Sequence, residues 1–380
     1  MRFNTRLLHD GQPADPLTGA VNTPIYLSST FRQSAPNRNQ GYVYSRSGNP
    51  TRAVLESTLA KLEGGATGLA FSSGLGALTT LLESVPSGWR IVSVDDVYGG
   101  TWRLFEHHRR QFGLRVDYVN MADLDRLRTA LREPADMVYL ETPTNPQLGI
   151  VDIAAAVRLA RRARALVVVD NTFATPALQR PLELGADVIL HSTTKYLGGH
   201  SDIIGGALVV KDAKRGQELA WLQNAVGAVP SPFDCFLALR GIHTLGVRMR
   251  AHEESARAVA DALSGSRRVR KVLYPGLRSH PQYALARRQM SGFGGMVSVE
   301  LTGGRRGALR FLKGLTVFTL AESLGGVESL VDHPATMTHA SVPRREREAH
   351  GVTDGLVRLS CGIEDPEDLA EDVRHALKGI

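Results

Sequence analysis

Residues 166–201 read LVVVDNTFATPALQRPLELGADVILHSTTKYLGGHS. Two continuous apolar runs, 166–169 and 188–190, are too short for helices. The first ends in Asp170 and the second runs on through His191 into Ser192, Thr193 and Thr194. Apolar runs of this length without alternation describe strands covered on both faces, the habit of a parallel sheet. Similar runs at 68–71, 90–94, 115–119, 137–140 and 207–210 are separated by amphipathic stretches, so strands and helices alternate. The alternation predicts an α/β fold, a mostly parallel sheet sandwiched by helices, with ligands at the carboxyl ends of the strands.

Before the first of these strands, Asn49-Pro50 reads as a helix N-cap followed by proline at the first helical position. Leu55, Leu59 and Leu62 mark one face of that helix, and Gly64-Gly65 stops it. After about residue 246 the pattern changes. A helical stretch at 249–263 leads into apolar runs at 297–301, 317–320 and 356–359 with helices between, which predicts a smaller α+β domain. The first 46 residues have weak periodicity and many turn formers, as expected of an arm that crosses the body or reaches a neighbouring subunit. The expected units are therefore 1–46, 47–246 and 247–380.

Over 380 residues, 43% hydrophobic and 22% charged content argues against intrinsic disorder. No apolar run approaches the roughly 20 residues needed to cross a bilayer, and residues 1–10 lack the apolar core of a signal peptide. Cys235 and Cys361 are the only cysteines and have no partners at metal spacing, which suits a reducing cytoplasm. The net charge of +7 raises the question of nucleic acid. The basic residues are interleaved with acids and no nucleic-acid module is present, so a solvated arginine-rich surface is the better reading. Histidines 107, 108, 191, 200, 333 and 339 show no ligand spacing, and no metal is expected.

The chemistry concentrates at strand ends. Lys195 follows the hydroxyls of Ser192, Thr193 and Thr194, and a lysine so placed is what an imine-forming site requires. The amine needs partial desolvation to lose its proton, and the hydroxyls can bind a phosphate. Taken alone, Lys195 is equally a surface lysine in a turn. Asp170 can pair with a protonated pyridine nitrogen or can cap a turn. The segment FSSGL at 71–75 places Ser72, Ser73 and Gly74 at a helix start, where exposed N–H groups form an anion cradle. Tyr98, beyond the run ending at Val94, can stack on a planar ring or pack in the core. GxGxxG and GxxxxGK[ST] are absent, which disfavours dinucleotide and nucleoside-triphosphate sites. Phosphate cradle, stacking aromatic, pyridine-facing carboxylate and imine lysine in that order together specify pyridoxal phosphate.

Over nearly its whole length the chain resembles the Cys/Met-metabolism family of fold-type I pyridoxal-phosphate enzymes. The resemblance rests on YSRSGNPT (44–51), FSSGL (71–75), DDVYGGT (95–101), ETPTNP (141–146), VVDNTF (168–173), STTKYLGGHSD (192–202), GAVPSPFD (227–234), LAESLGGVESL (320–330), MTHAS (337–341) and RLSCGIED (358–365). Within the family it is nearest to the γ-lyases and γ-synthases of cystathionine metabolism.

The resemblance implies that Lys195 is the imine lysine, Asp170 the pyridinium partner and Tyr98 the stacking ring. Phosphate would be held by Gly74, Leu75, Ser192 and Thr194, with Tyr44 and Arg46 reaching over from an adjacent subunit. Asn145 would stand beside the ring hydroxyl. Arg358 with the Ser323 region would clamp the substrate carboxylate, and Glu322 would stand at the pocket mouth. A homotetramer built from two active dimers is implied, with a small sulfur amino acid as substrate. The implied reaction is γ-elimination of cystathionine to cysteine, 2-oxobutanoate and ammonia, or alternatively γ-replacement on an O-acyl-homoserine by cysteine.

Overall fold

The Asn49 side chain accepts the backbone N–H groups of Thr51 and Arg52, Pro50 opens the helix Pro50–Glu63, and Gly64 closes it with φ 78°. These are the start and stop expected from the sequence. The computed structural model describes residues 1–380. Beyond this helix it carries a seven-stranded sheet of β1 (Thr67–Phe71), β2 (Arg90–Val94), β3 (Arg115–Val119), β4 (Met137–Glu141), β5 (Leu166–Asp170), β6 (Val188–Ser192) and β7 (Gly206–Val210). The order is β1-β7-β6-β5-β4-β2-β3. Every adjacent pair is parallel except those that β7 makes with β1 and β6.

β2, β4 and β7 are buried at every residue, so both faces of the sheet are covered. Helix Gly74–Glu83 packs on β1, β6 and β7, and Ile153–Arg162 on β4 and β5. The strands agree with the apolar runs to within two residues at either end.

A second sheet contains β8 (Val269–Leu273), β9 (Met296–Leu301), β10 (Thr319–Leu320), β11 (Leu330–Asp332) and β12 (Leu356–Ser360), in the order β10-β11-β12-β9-β8. β8 and β11 were not anticipated. β8 is buried only at Leu273 and shows no regular alternation, and β11 has three residues, too few to show a period. The expected run at 317–320 contracts to Thr319 and Leu320, because the N–H groups of Val317 and Phe318 donate to Asp372 instead of to a strand.

Helix Leu245–Leu263 joins the two parts. Its Leu245 and Met249 lie in the core of the large sheet, and its Ala256, Val259, Ala260 and Leu263 lie in the core of the small one. One rigid helix therefore spans both cores, and residue 246 lies in its first turn.

Candidate active site

A cavity of about 610 Å³ opens where β1, β5 and β6 of the large sheet end and the small sheet leans over them. Its lining includes Gly74, Leu75, Tyr98, Asn145, Asp170, Ser192, Thr194, Lys195, Glu322, Ser323 and Arg358. Tyr44 and Arg46 are not among the lining residues. Tyr44 is 45% exposed, and Arg46 Nη1 donates to the carbonyl and side-chain oxygens of Asn224 at 2.6 and 3.0 Å. A larger cleft of about 850 Å³ lies at the ends of β2 and β3, beside Asp95, Asn120 and His350, and contains none of the expected residues.

Lys195 follows β6, and its Nζ donates to Ser323 Oγ at 2.7 Å. Burial and then the Arg358 guanidinium push the amine down from its ordinary value to about 8. Ser323 has φ 102°, a left-handed conformation costly for a side-chain-bearing residue and one that clusters at functional sites.

Asp170 ends β5 and faces Glu141 of β4 in the register. Its Oδ1 accepts the Thr172 N–H at 2.9 Å, whereas Oδ2 has only the Tyr139 hydroxyl at 3.5 Å. Burial pushes both carboxyls up. Glu141 accepts the Tyr98 N–H at 3.0 Å, which fixes the start of helix Gly99–Phe112. A Cβ at Gly100 would lie 2.4 Å from Tyr98 Cε1, so the glycine leaves room for the tyrosine ring.

At the opposite end of the cavity, the N-cap Ser73 takes the Gly76 N–H at 2.9 Å, while the N–H groups of Gly74 and Leu75 precede the first intrahelical bond. A Cβ on Gly74 would lie 3.1 Å from Ser192 Cβ, so the backbone there approaches Ser192 closely. The Thr194 hydroxyl is engaged with Gly205, accepting its N–H at 3.0 Å and donating to its carbonyl at 3.2 Å.

The donor set fits pyridoxal phosphate. It offers free N–H groups with a neighbouring hydroxyl for a phosphate, a buried carboxylate with an underused oxygen for a ring N–H, and an amine of lowered basicity for an aldehyde.

Arg358, central in β12, donates from Nη1 to Asn145 Oδ1 at 2.8 Å and from Nη2 to the Ser323 carbonyl at 3.2 Å, and it forms an ion pair with Asp332. Asp332, Glu141 and Tyr139 went unassigned in the sequence reading. Glu141 opens the quoted motif ETPTNP, a signal that was available, whereas Asp332 ends a strand of only three residues. No group of three or more His, Cys, Asp and Glu side chains is arranged to hold a metal ion, and no helix is long and apolar enough to cross a membrane.

Comparison with known proteins follows the same lines. Residues 4–378 match the family model described as Cys/Met metabolism PLP-dependent enzyme. The chain is 52% identical over 377 residues to a cystathionine beta-lyase of Coxiella burnetii, covering 99% of this chain and 97% of that one. It is 48% identical over 377 residues to a cystathionine gamma-lyase of Dictyostelium discoideum, again covering 99% and 97%. The crystal structure of cystathionine gamma synthase from Xanthomonas oryzae pv. oryzae in complex with cystathionine superposes with a TM-score of 0.97 at 48% identity, over 100% of this chain and 98% of that one.

Proposed function

Because the chain belongs to the Cys/Met-metabolism family of pyridoxal-phosphate-dependent enzymes, we propose that it cleaves cystathionine by γ-elimination. Cystathionine and water give cysteine, 2-oxobutanoate and ammonia. The observation that carries this reading is the pairing of opposite charges in one cavity. Arg358 is available to an α-carboxylate, Glu322 to a distal ammonium, and Lys195 lines the same space.

When bound, the cofactor would supply an electron-withdrawing ring that acidifies the C–H bonds beside the substrate amine. Asp170 would keep the ring nitrogen protonated. Gly74, Leu75 and Ser192 would hold the phosphate, with Thr194 shaping that end through Gly205. The Lys195 amine, oriented by Ser323 Oγ, takes the proton from Cα and delivers one to the neighbouring carbons from a single face. Arg358 and Asn145 orient the carboxylate end of the substrate. The Tyr98 hydroxyl stands ready to protonate the departing sulfur, since its ring lines the cavity and its backbone is fixed by Glu141.

The site is completed by a neighbouring copy, whose Tyr44 and Arg46 reach the phosphate within an assembly of four chains. Their exclusion from their own cavity supports this, as do the exposed apolar residues Leu17, Val21 and Leu27 of the arm.

The second reading is γ-replacement, in which cysteine displaces the acyl group of an O-acyl-homoserine. It is favoured by the likeness to the cystathionine-bound gamma synthase. Product analysis decides. With cystathionine alone, 2-oxobutanoate and cysteine are expected, whereas pyruvate and homocysteine would mean β-elimination and overturn the proposal. With O-acyl-homoserine plus cysteine, cystathionine formed faster than it is cleaved would establish the second reading.

A further inference from the structure

A guanidinium carries five N–H bonds in a planar fork. In Arg358, Nη1 meets Asn145 Oδ1, while Nη2 meets the Ser323 carbonyl and Asp332 Oδ2. Nε has no acceptor, and Asp332 Oδ1 has no donor. Arg358 and Asp332 are each 2% exposed and stand opposite one another in the register of β12 and β11. The two unpaired atoms are complementary halves of a side-on fork, Nε–H to Oδ1 beside Nη2–H to Oδ2.

We propose that Asp332 is a positioning residue that occupies the Nε and Nη2 edge of Arg358, so that the Nη1 edge beside Asn145 receives the substrate's α-carboxylate. The proposal rests on the reading of Arg358 as the carboxylate clamp. Asp332 does not line the cavity, so it acts through Arg358. A buried guanidinium without a counter-charge is costly, and an arginine free to rotate can present three different edges. Asp332 removes both problems. Its carboxyl is pushed up by burial, and the adjacent guanidinium opposes that shift.

Two opposing effects follow from removing the Asp332 charge. Electrostatics alone would strengthen attraction for an incoming carboxylate, whereas loss of orientation weakens it. The proposal requires orientation to win, because the one N–H that remains on Nη1 reaches the carboxylate only when the plane of the fork is held at the right angle.

The test uses the holoenzyme and two probes that carry no γ leaving group, L-norvaline and L-norvalinamide. Dissociation constants are read from the absorption of the bound cofactor, and the amide-to-acid ratio reports carboxylate recognition. Asp332→Asn should lower that ratio about tenfold, with Asp332→Glu retaining most of it. The same loss is expected in Asp332→Ser, where water can partner the guanidinium if the asparagine variant does not fold. Arg358→Leu should abolish the preference. A ratio that is unchanged or raised in Asp332→Asn or Asp332→Ser, while Arg358→Leu abolishes it, overturns the role of Asp332 and leaves the clamp standing. A ratio unchanged in Arg358→Leu removes the clamp and the proposal together. Equal weakening of both probes would reduce Asp332 to holding β11 against β12.

Discussion

Lys195 Nζ and Ser323 Oγ meet at 2.7 Å across the gap between the two sheets. Lys195 follows a strand of the large sheet, and Ser323 lies on the loop between β10 and β11 of the small one. The position of the amine is therefore set by both parts of the molecule, and so is its basicity, since Arg358 of the small sheet helps to depress it.

The depressed basicity makes a pH prediction. Below about 8 the Lys195 amine is protonated and cannot attack an aldehyde, and above it the amine is free. The rate at which cofactor-stripped protein takes up pyridoxal phosphate should rise with pH through a midpoint near 8 and then level off. Stopped-flow absorbance measures it. A midpoint near the ordinary lysine value of 10.5 would show that the site does not desolvate the amine.

Asp170→Asn should weaken the hold on the ring nitrogen. Losing a charge-assisted bond of about 1.5–3 kcal/mol predicts a cofactor dissociation constant raised by about tenfold or more. Turnover should fall more steeply than affinity, because the ring withdraws electrons less well when its nitrogen is not kept protonated. Equilibrium dialysis and kcat on saturated enzyme separate the two effects, and unchanged values for both would remove Asp170 from the site.

Glu322→Ala tests substrate choice. A partly exposed ion pair contributes roughly 1 kcal/mol and a desolvated one more, so the preference for cystathionine over methionine should narrow by about tenfold. The ratio of kcat/KM values measures it. If that ratio does not move, Glu322 shapes only its loop, and the cofactor assignments are untouched.

The shared site is tested by mixing. Arg46→Ala should weaken cofactor binding, and Lys195→Ala should abolish turnover. At a cofactor concentration too low to load Arg46→Ala, subunits exchanged between the two variants should recover part of the activity, because a hybrid dimer contains one site with both residues intact. No recovery after exchange verified by mass spectrometry would place Arg46 on its own subunit's business alone.

Legibility in the sequence followed distance along the chain. Asp170 and Lys195 could be read because a strand and the residue just past it are local, and apolar runs mark strand ends directly. The direction of β7 could not be read, since the residues of Gly206–Val210 are apolar whichever way the strand runs. The pairing of Asp332 with Arg358 depends on the register between two strands 26 positions apart, and three residues of β11 carry no period from which to infer it. The φ of Ser323 is likewise imposed by its contacts, because nothing in a serine favours the left-handed region.

β1 hydrogen-bonds to no strand except β7, so its only partner lies beyond residues 72–205. At ribosomal rates of about 5–20 residues per second, β1 waits on the order of ten seconds before that partner has been made. During this interval Leu69, Ala70 and Phe71, all buried in the finished molecule, present an open strand edge. The helix Pro50–Glu63, made just before β1, packs on it and is the first neighbouring element available as a cover during that wait, with helix Gly74–Glu83 following. The strong cap at Asn49 therefore serves the nascent chain as well as the mature one, and weakening it should increase aggregation during synthesis more than it lowers the stability of folded protein.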